Sequence, residues 1–332
     1  MWSKFMPVPL ALAAALSLGA APAPSGTSGA SGASGFDVRV TTAFELPGTK
    51  VYPEGIAADA RTGTVYVGSY ADGTVYRARP GARRAEVFLP AGADGRTTAN
   101  GLRVDARGRL WVTDSTKGVT VYDTRTGARL ARFDVPGDAP RFVNDLTVTP
   151  DGSAYLTDSV RGVIYRVTPD QPASGDGPLS VAYDLTPALR PRPAGGFSLN
   201  GIVSDPAGRW LLTVDMPEGE LLRVDLRTGA VGRVALTGGN LTSPDGLDLS
   251  PDGTLRVAQN VPNTLTRWKL SADGTRGRLT GTLTDPSLQI PTTLTHRPGR
   301  TLVVRSQFDK DGPLTPSTGA PTTFTIASVR GF

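Results

Sequence analysis

The apolar residues of this chain come in short runs, each cut off by a turn rich in Gly, Asp or Pro, and the runs repeat. The segments PEGIAAD, ANGLRVD, VNDLTVT, LNGIVSD, PDGLDLS and PTTLTHR can be laid over one another, with Glu54, Asn100, Asn144, Asn200, Asp245 and Thr292 at the same place in each. The steps between these positions are 46, 44, 56, 45 and 47 residues, a period that matches a four-stranded propeller blade. A second run follows each segment: TVYVGSY, RLWVTDS, SAYLTDS, RWLLTVD, TLRVAQN and TLVVRSQ. Third runs stand at GTVYRAR, GVTVYDT, GVIYRVT and GELLRVDL, and fourth runs at RAEVFLP, ARLARFDV, LSVAYDL and AVGRVAL. The turns between them, such as Arg61-Thr62-Gly63, Asp151-Gly152 and Asp252-Gly253, have the composition of tight hairpins.

Six repeats of four short strands predict an all-β fold, a six-bladed β-propeller over residues 37–332 with four antiparallel strands per blade. The sixth repeat supplies only three runs, at 291–297, 301–306 and 322–329. Its fourth strand is predicted from DVRVTTAFEL, residues 37–46, which closes the ring and protects its edges. Two β-sandwiches would not carry one period through the whole chain.

Composition narrows the chemistry. With 40 Gly and 28 Pro in 332 residues there is little room for long helices. The absence of Cys excludes disulfides, thiolate metal sites and a cysteine nucleophile. One His, His296, excludes a two-His metal site within the chain. The net charge of +5 is spread out, its longest basic cluster being Arg83-Arg84. The basic stripe with interleaved aromatics of a nucleic-acid binder is missing, so a small-molecule substrate is expected rather than a nucleic acid.

Ahead of the repeats, Lys4 precedes an apolar run from Phe5 to Leu18 and the small residues Gly19-Ala20-Ala21, so residues 1–21 read as a signal peptide. The run is shorter than the roughly 20 residues a bilayer span needs; an uncleaved anchor is the alternative, and a lipoprotein would need a Cys. Residues 22–36, nearly all Pro, Ala, Gly, Ser and Thr, read as a flexible linker. The expectation is a secreted or extracytoplasmic protein with no membrane span in its mature form.

In a propeller the first strand of each blade lines the central channel, and the second, antiparallel to it, ends at the same mouth. The aligned positions therefore converge, and the second-strand ends bring Tyr70, Asp114, Ser115, Asp158, Ser159, Asp215, Gln259, Asn260 and Gln307 to the same face. Glu54, Asn100, Asn144, Asn200 and Asp245 are oxygen donors, the ligand type that hard cations such as Ca²⁺ prefer. Glu54 and Asp245 bring two negative charges, which suits a dication. Asn or Asp before Gly is also ordinary turn chemistry. That alternative accounts for a single Asn-Gly but not for Glu54 after Pro53. Thr292 breaks the pattern, and His296, at the far end of an innermost strand, is expected to pack or face solvent.

At these residues the chain resembles a known family. YPEGIAAD, NGLRVD followed by GRLWVTDS, VNDLTVTPDG and SPDGLDLS are similar to the gluconolactonase/senescence-marker-protein/luciferin-regenerating (SGL) family of six-bladed propellers, over about residues 40–310. The resemblance implies Ca²⁺ or another divalent cation in the channel, held by a Glu, two Asn and an Asp. By motif these map to Glu54, Asn144, Asn200 and Asp245. It implies hydrolysis of a lactone or related ester, with the cation as Lewis acid and Asp245 as ligand and either general base or nucleophile. The His pair of the related paraoxonases cannot be assembled here. Asn100 is in register but has no counterpart among the family ligands. With Asp114, Asp158, Asp215, Gln259 and Asn260 it is expected beside the ligands or against substrate, hairpin capping being the alternative for Asp114 and Asp158. The competing expectation is a non-catalytic propeller that binds a ligand, a protein or a cell-wall component, because a fold does not fix a function. Selectivity is expected in the rim loops 90–99, 136–142, 186–198 and 308–321.

Overall fold

Six small antiparallel sheets succeed one another along the chain and stand in a ring. The computed structural model describes residues 38–332; the expected signal peptide at 1–21 and linker at 22–36 lie outside the described residues. In blade one, Pro53–Ala58 is innermost, followed outward by Val65–Ser69, Val75–Ala78 and Glu86–Leu89. The innermost strands of blades two to five are Leu102–Val104, Val143–Val148, Leu199–Ser204 and Pro244–Leu249. Blade six consists of Pro291–Arg297, Arg300–Arg305, Thr325–Arg330 and, paired with the last of these, Arg39–Glu45. The ring is thus closed by the first strand of the described chain, as the repeat count predicts. The hairpin turns behave as their composition suggests: Gly63, Gly152 and Gly253 have φ of 76°, 90° and 80°, which a side chain would disfavour.

There is no single central core. Side chains along a strand alternate between its two faces, and each face of a blade meets a different neighbour. In Arg109–Asp114, Leu110 and Val112 pack with blade one, whereas Trp111 packs with blade three. In Trp210–Asp215, Leu211 turns to blade three, and Leu212 and Val214 turn to blade five. The remaining clusters join blade six to blade one through Val304, Ile326 and Ile56, and blade five to blade six through Leu265 and Val303. Apolar surface is buried between blades, and the axis is left to polar side chains.

Two short pairings go beyond the four-stranded pattern. Gly177–Pro178 runs parallel to Arg129–Asp134 on the outer edge of blade two. Ala235–Thr237 does the same for Arg276–Thr284 on blade five. Each covers an edge that would otherwise present unpaired backbone groups. No helix of the described residues is long and apolar enough to cross a membrane.

The inter-blade clusters make a stability prediction. Leu211, fully buried between blades three and four, should cost about 2–5 kcal/mol when replaced by Ala. Val181→Ala, at a position 54% exposed on an outer strand, should cost less than about 0.5 kcal/mol. Urea-unfolding midpoints of the two variants check the contrast.

Candidate metal centre

Five innermost strands are bulged where they begin. Pro53 pairs with Ser69 and Ile56 with Val67, so Glu54 and Gly55 stand opposite one residue. The same excess occurs at Asn144-Asp145, Asn200-Gly201, Asp245-Gly246 and Thr292-Thr293. A bulge bends its strand and re-aims a side chain, and here it turns the aligned residue towards the channel. Gly follows because space runs out. A Cβ on Gly55 would overlap the carbonyl oxygen of Asn100, and one on Gly201 that of Asp245. Neither Gly is in the left-handed region, so these X-Gly steps are close approaches between neighbouring blades and not turns.

Glu54, Asn100, Asn144, Asn200 and Asp245, with Asn260 beside them, form the polar lining of one cavity of about 90 Å³. Thr292 does not join them. Its Oγ1 donates to the Glu54 carbonyl at 2.7 Å and ties the sixth blade to the first. Among the described residues no three His, Cys, Asp or Glu side chains are placed to hold one metal ion together, so a metal centre here has to draw on amide oxygens.

The polar atoms are oriented by partners behind them. Asn144 donates through Nδ2 to Ser159 Oγ (3.0 Å), which leaves its Oδ1 for the cavity. Asp245 accepts through Oδ2 from Asn260 Nδ2 (3.0 Å), which leaves its Oδ1. Asn200 spends its Nδ2 on Met216 Sδ at 3.4 Å. Asn144 Oδ1, Asp245 Oδ1 and Glu54 Oε2 are buried and receive no hydrogen bond. A buried acceptor without a donor is costly, and three on one cavity floor suit an oxygen-coordinated cation. The residues fit the group that the family resemblance implies. Asn100 is turned the other way: its Oδ1 accepts from Ser115 Oγ (2.9 Å), so its Nδ2 is the atom on offer.

A rule of position emerges. Ser115, Ser159, Met216 and Asn260 are each the first residue after a second strand, and each holds the aligned residue of its own blade. Tyr70, which lines the cavity, has the same place in blade one. The last residue of the strand, one position earlier, points the other way. For that reason Asp114, Asp158, Asp215 and Gln259 do not line the cavity, and Asp114 and Asp158 take the capping alternative: Asp114 Oδ1 accepts from Thr116 N, and Asp158 Oδ1 from Val160 N and Arg161 N, at the turns that follow their strands. Asp114 accepts from the backbone N–H groups of Thr97 and Thr98. Asp158 accepts from Phe142 N (3.0 Å) and Tyr165 Oη (2.9 Å). Asp215 pairs with Arg192 at 2.9 Å. Gln259 accepts from Thr266 Oγ1, and Gln307 from Thr322 N. The three Asp fasten rim loops instead.

Those loops and the strand ends supply an apolar wall. Phe142 and Phe197 meet at 4.7 Å between centroids, and Tyr70 lies 5.5 Å from Phe308. Met216, Pro313 and Leu314 complete the lining. Loops 136–142, 186–198 and 308–321 thus reach the cavity, whereas loop 90–99 contributes nothing to it. Its Arg96 turns inward and donates to Tyr122 Oη and the Gly73 carbonyl. The aromatic wall was missed in the sequence, although Phe142 and Phe197 stand two and three residues before ring Asn residues. His296 is away from the cavity, its Nδ1 3.1 Å from Thr301 Oγ1. Burial, then Arg256, holds its pKa below the ordinary value.

Both acidic residues of the ring are hard to ionise without a cation. Burial pushes Asp245 up to about 8, although Asn260 opposes the rise. Burial also raises Glu54 well above the carboxylate range, helped by Asp245 and Asp145 and opposed by Arg103. Arg103 and Asp145, neither of them anticipated from the repeat, are therefore within electrostatic reach of the ring.

With this geometry in hand, comparison with known proteins is informative. The SMP-30/Gluconolactonase/LRE-like region is recognised over residues 52–307. A gluconolactonase of Xanthomonas campestris shares 20% identity, with 89% of this chain and 90% of that one covered at a TM-score of 0.61. The calcium-binding protein regucalcin of Agrobacterium tumefaciens shares 18% identity over 86% and 91% of the two chains, at 0.60. A luciferin-regenerating enzyme shares 14% over 89% and 96%, at 0.63. Sequence comparison with curated proteins gives no match.

The raised carboxyls predict a pH dependence. A folded-state pKa above the unfolded one gives stability that is full below the ordinary carboxyl range and is lost as pH rises towards about 8. Chelator-treated protein should therefore lose thermal stability between about pH 4 and 8, and excess Ca²⁺ should flatten the curve by keeping both groups ionised. Melting temperatures across pH, with chelator and with calcium, check this; superimposable curves would count against a cation at the ring.

Proposed function

The chain belongs to the SMP-30/gluconolactonase/LRE-like family, and from that premise we propose that it is an exported hydrolase of a lactone or related ester, working with a divalent cation, calcium by preference. The carrying observation is the set of buried, donor-free oxygens on Glu54, Asn144 and Asp245. With Asn200 they would hold the cation. The names of the similar structures, a gluconolactonase and a calcium-binding regucalcin, support the same reading. So does the apolar run at 5–18, since an exported protein can use a weak calcium site: extracellular modules bind calcium at roughly 10⁻⁴–10⁻³ M.

When bound, the cation supplies Lewis acidity to the ester carbonyl oxygen and offsets the charge that develops there. The chain's residues do the rest. Asp245, held through Oδ2 by Asn260, directs Oδ1 into the cavity, where it takes the proton of an attacking water and returns it to the leaving alkoxide as the acyl C–O bond breaks, or attacks the carbonyl itself to give an acyl-enzyme that water then hydrolyses. Asn100 offers its Nδ2 as a hydrogen-bond donor to the substrate's oxygen atoms. Phe142, Phe197, Phe308 and Leu314 exclude water and grip the flank of the substrate. This wall suits an alkyl or aryl substituent better than a polyol, whose hydroxyls would find few partners.

Asp245→Asn should lower lactone opening by about a hundredfold or more while an oxygen ligand remains in the ring. Phe142→Ala should raise KM for alkyl-substituted lactones and leave the unsubstituted five-membered lactone nearly unchanged. Steady-state kinetics on a panel of lactones and aryl esters, with and without chelator, reads both. Wild-type protein with no chelator-sensitive turnover on that panel would favour the non-catalytic propeller.

A further inference from the structure

We propose that Arg103 and Asp145 form an ion pair across the channel in which the guanidinium cancels the charge of Asp145, so that the ring keeps the two negative charges of Glu54 and Asp245 that match a dication. This rests on the metal-binding reading above. Arg103 lies in the innermost strand of blade two. Its Nη1 donates to the carbonyl of Leu102 (2.9 Å), and its Nη2 to those of Ile202 (3.5 Å) and Leu247 (3.4 Å). Those carbonyls belong to blades two, four and five, so the guanidinium spans the channel. Asp145 Oδ2 is 3.6 Å from Nη2 and also accepts from Ile202 N, while Oδ1 accepts from Leu146 N.

The placement of Asp145 is informative. In blades one, two, four and five the residue after the aligned one is Gly55, Gly101, Gly201 or Gly246. In blade three that place holds a carboxylate, buried, against which a Cβ on Gly101 would press. A buried carboxylate needs a partner, and the multi-donor guanidinium of Arg103 serves both it and three carbonyls. Filling the channel would have required only an apolar side chain. Below the pair, Arg103 lines a second cavity, of about 240 Å³, with Ala58, Val104 and Thr295 from the far ends of the innermost strands. The pair thus lies between the ring and the opposite mouth.

Glu54, Asp145 and Asp245 carry three negative charges when ionised, and Arg103 one positive. Asp145 directly follows Asn144 in the strand Val143–Val148, which places the pair next to the ring. At an effective dielectric near 20, one unit charge within about 10 Å changes cation affinity by roughly tenfold or more.

The test is a charge cycle on full-length, chelator-stripped protein, with Ca²⁺ and Tb³⁺ affinities measured by calorimetry and by Tb³⁺ luminescence. Asp145→Asn should weaken Ca²⁺ by about tenfold or more. Arg103→Gln should tighten Ca²⁺ and tighten Tb³⁺ further. The double variant should return to within about threefold of wild type, because it restores the charge. Arg103→Lys, which keeps the charge but loses the fork, should keep the wild-type Tb³⁺/Ca²⁺ ratio and guards against a misfolded Arg103→Gln. Weakening by both single variants with further weakening in the double, or Arg103→Lys behaving like Arg103→Gln, overturns the charge role. If wild type binds neither ion, the metal-binding reading falls as well; if wild type binds and the cycle fails to close, this inference alone falls.

Discussion

A buried oxygen that accepts no hydrogen bond is costly, and this channel gathers three of them, on Glu54, Asn144 and Asp245. The rest of the molecule is arranged so that this arrangement can persist. Bulges turn the aligned side chains inward, glycines let adjacent blades close up behind them, and residues just past the second strands hold Asn100, Asn144, Asn200 and Asp245 from behind. The stabilising burial lies elsewhere, in six apolar clusters between blades. A polar axis is tolerable because the blades do not depend on it for cohesion.

Floor and wall of the cavity come from different parts of the chain. The floor is built on the innermost strands, whose position is fixed by pairing with the second strand of each blade. The wall is built on loops and strand ends, and two buried aspartates hold its aromatic part: Asp158 binds the backbone of Phe142, and Asp215 binds Arg192, which also donates to the carbonyl of Phe197. Such a division lets the wall change with substrate while the ring stays as it is.

The ring architecture was legible in the sequence because each repeat carries its own turns, and the closing strand followed from a missing fourth run. The aligned residues were legible too, but Asn-Gly could be read as turn or as channel. Only the clash between a Cβ on Gly201 and the next blade separates the two. Parity keeps Asp114, Asp158 and Asp215 off the cavity: one residue further along a strand means the opposite face, and Ser115, Ser159 and Met216 take the inner side, while Asp114 and Asp158 cap their hairpins. Arg103 and Asp145 were invisible for another reason. They are departures from the repeat, and reading by superposition averages departures away. Apart from each other, their partners are backbone groups, carbonyls for Arg103 and N–H groups for Asp145, which leave no mark in residue type.

The pairing of Arg39–Glu45 with Thr325–Arg330 joins the first strand of the described chain to its last. During synthesis the pairing of this early strand must therefore wait until Thr325–Arg330 has emerged. A product cut short before Thr325 would keep two raw blade edges, the kind of surface that sticks to other strands. The seam makes completion of the ring a late, all-or-none event, and incomplete chains are left conspicuous to proteases.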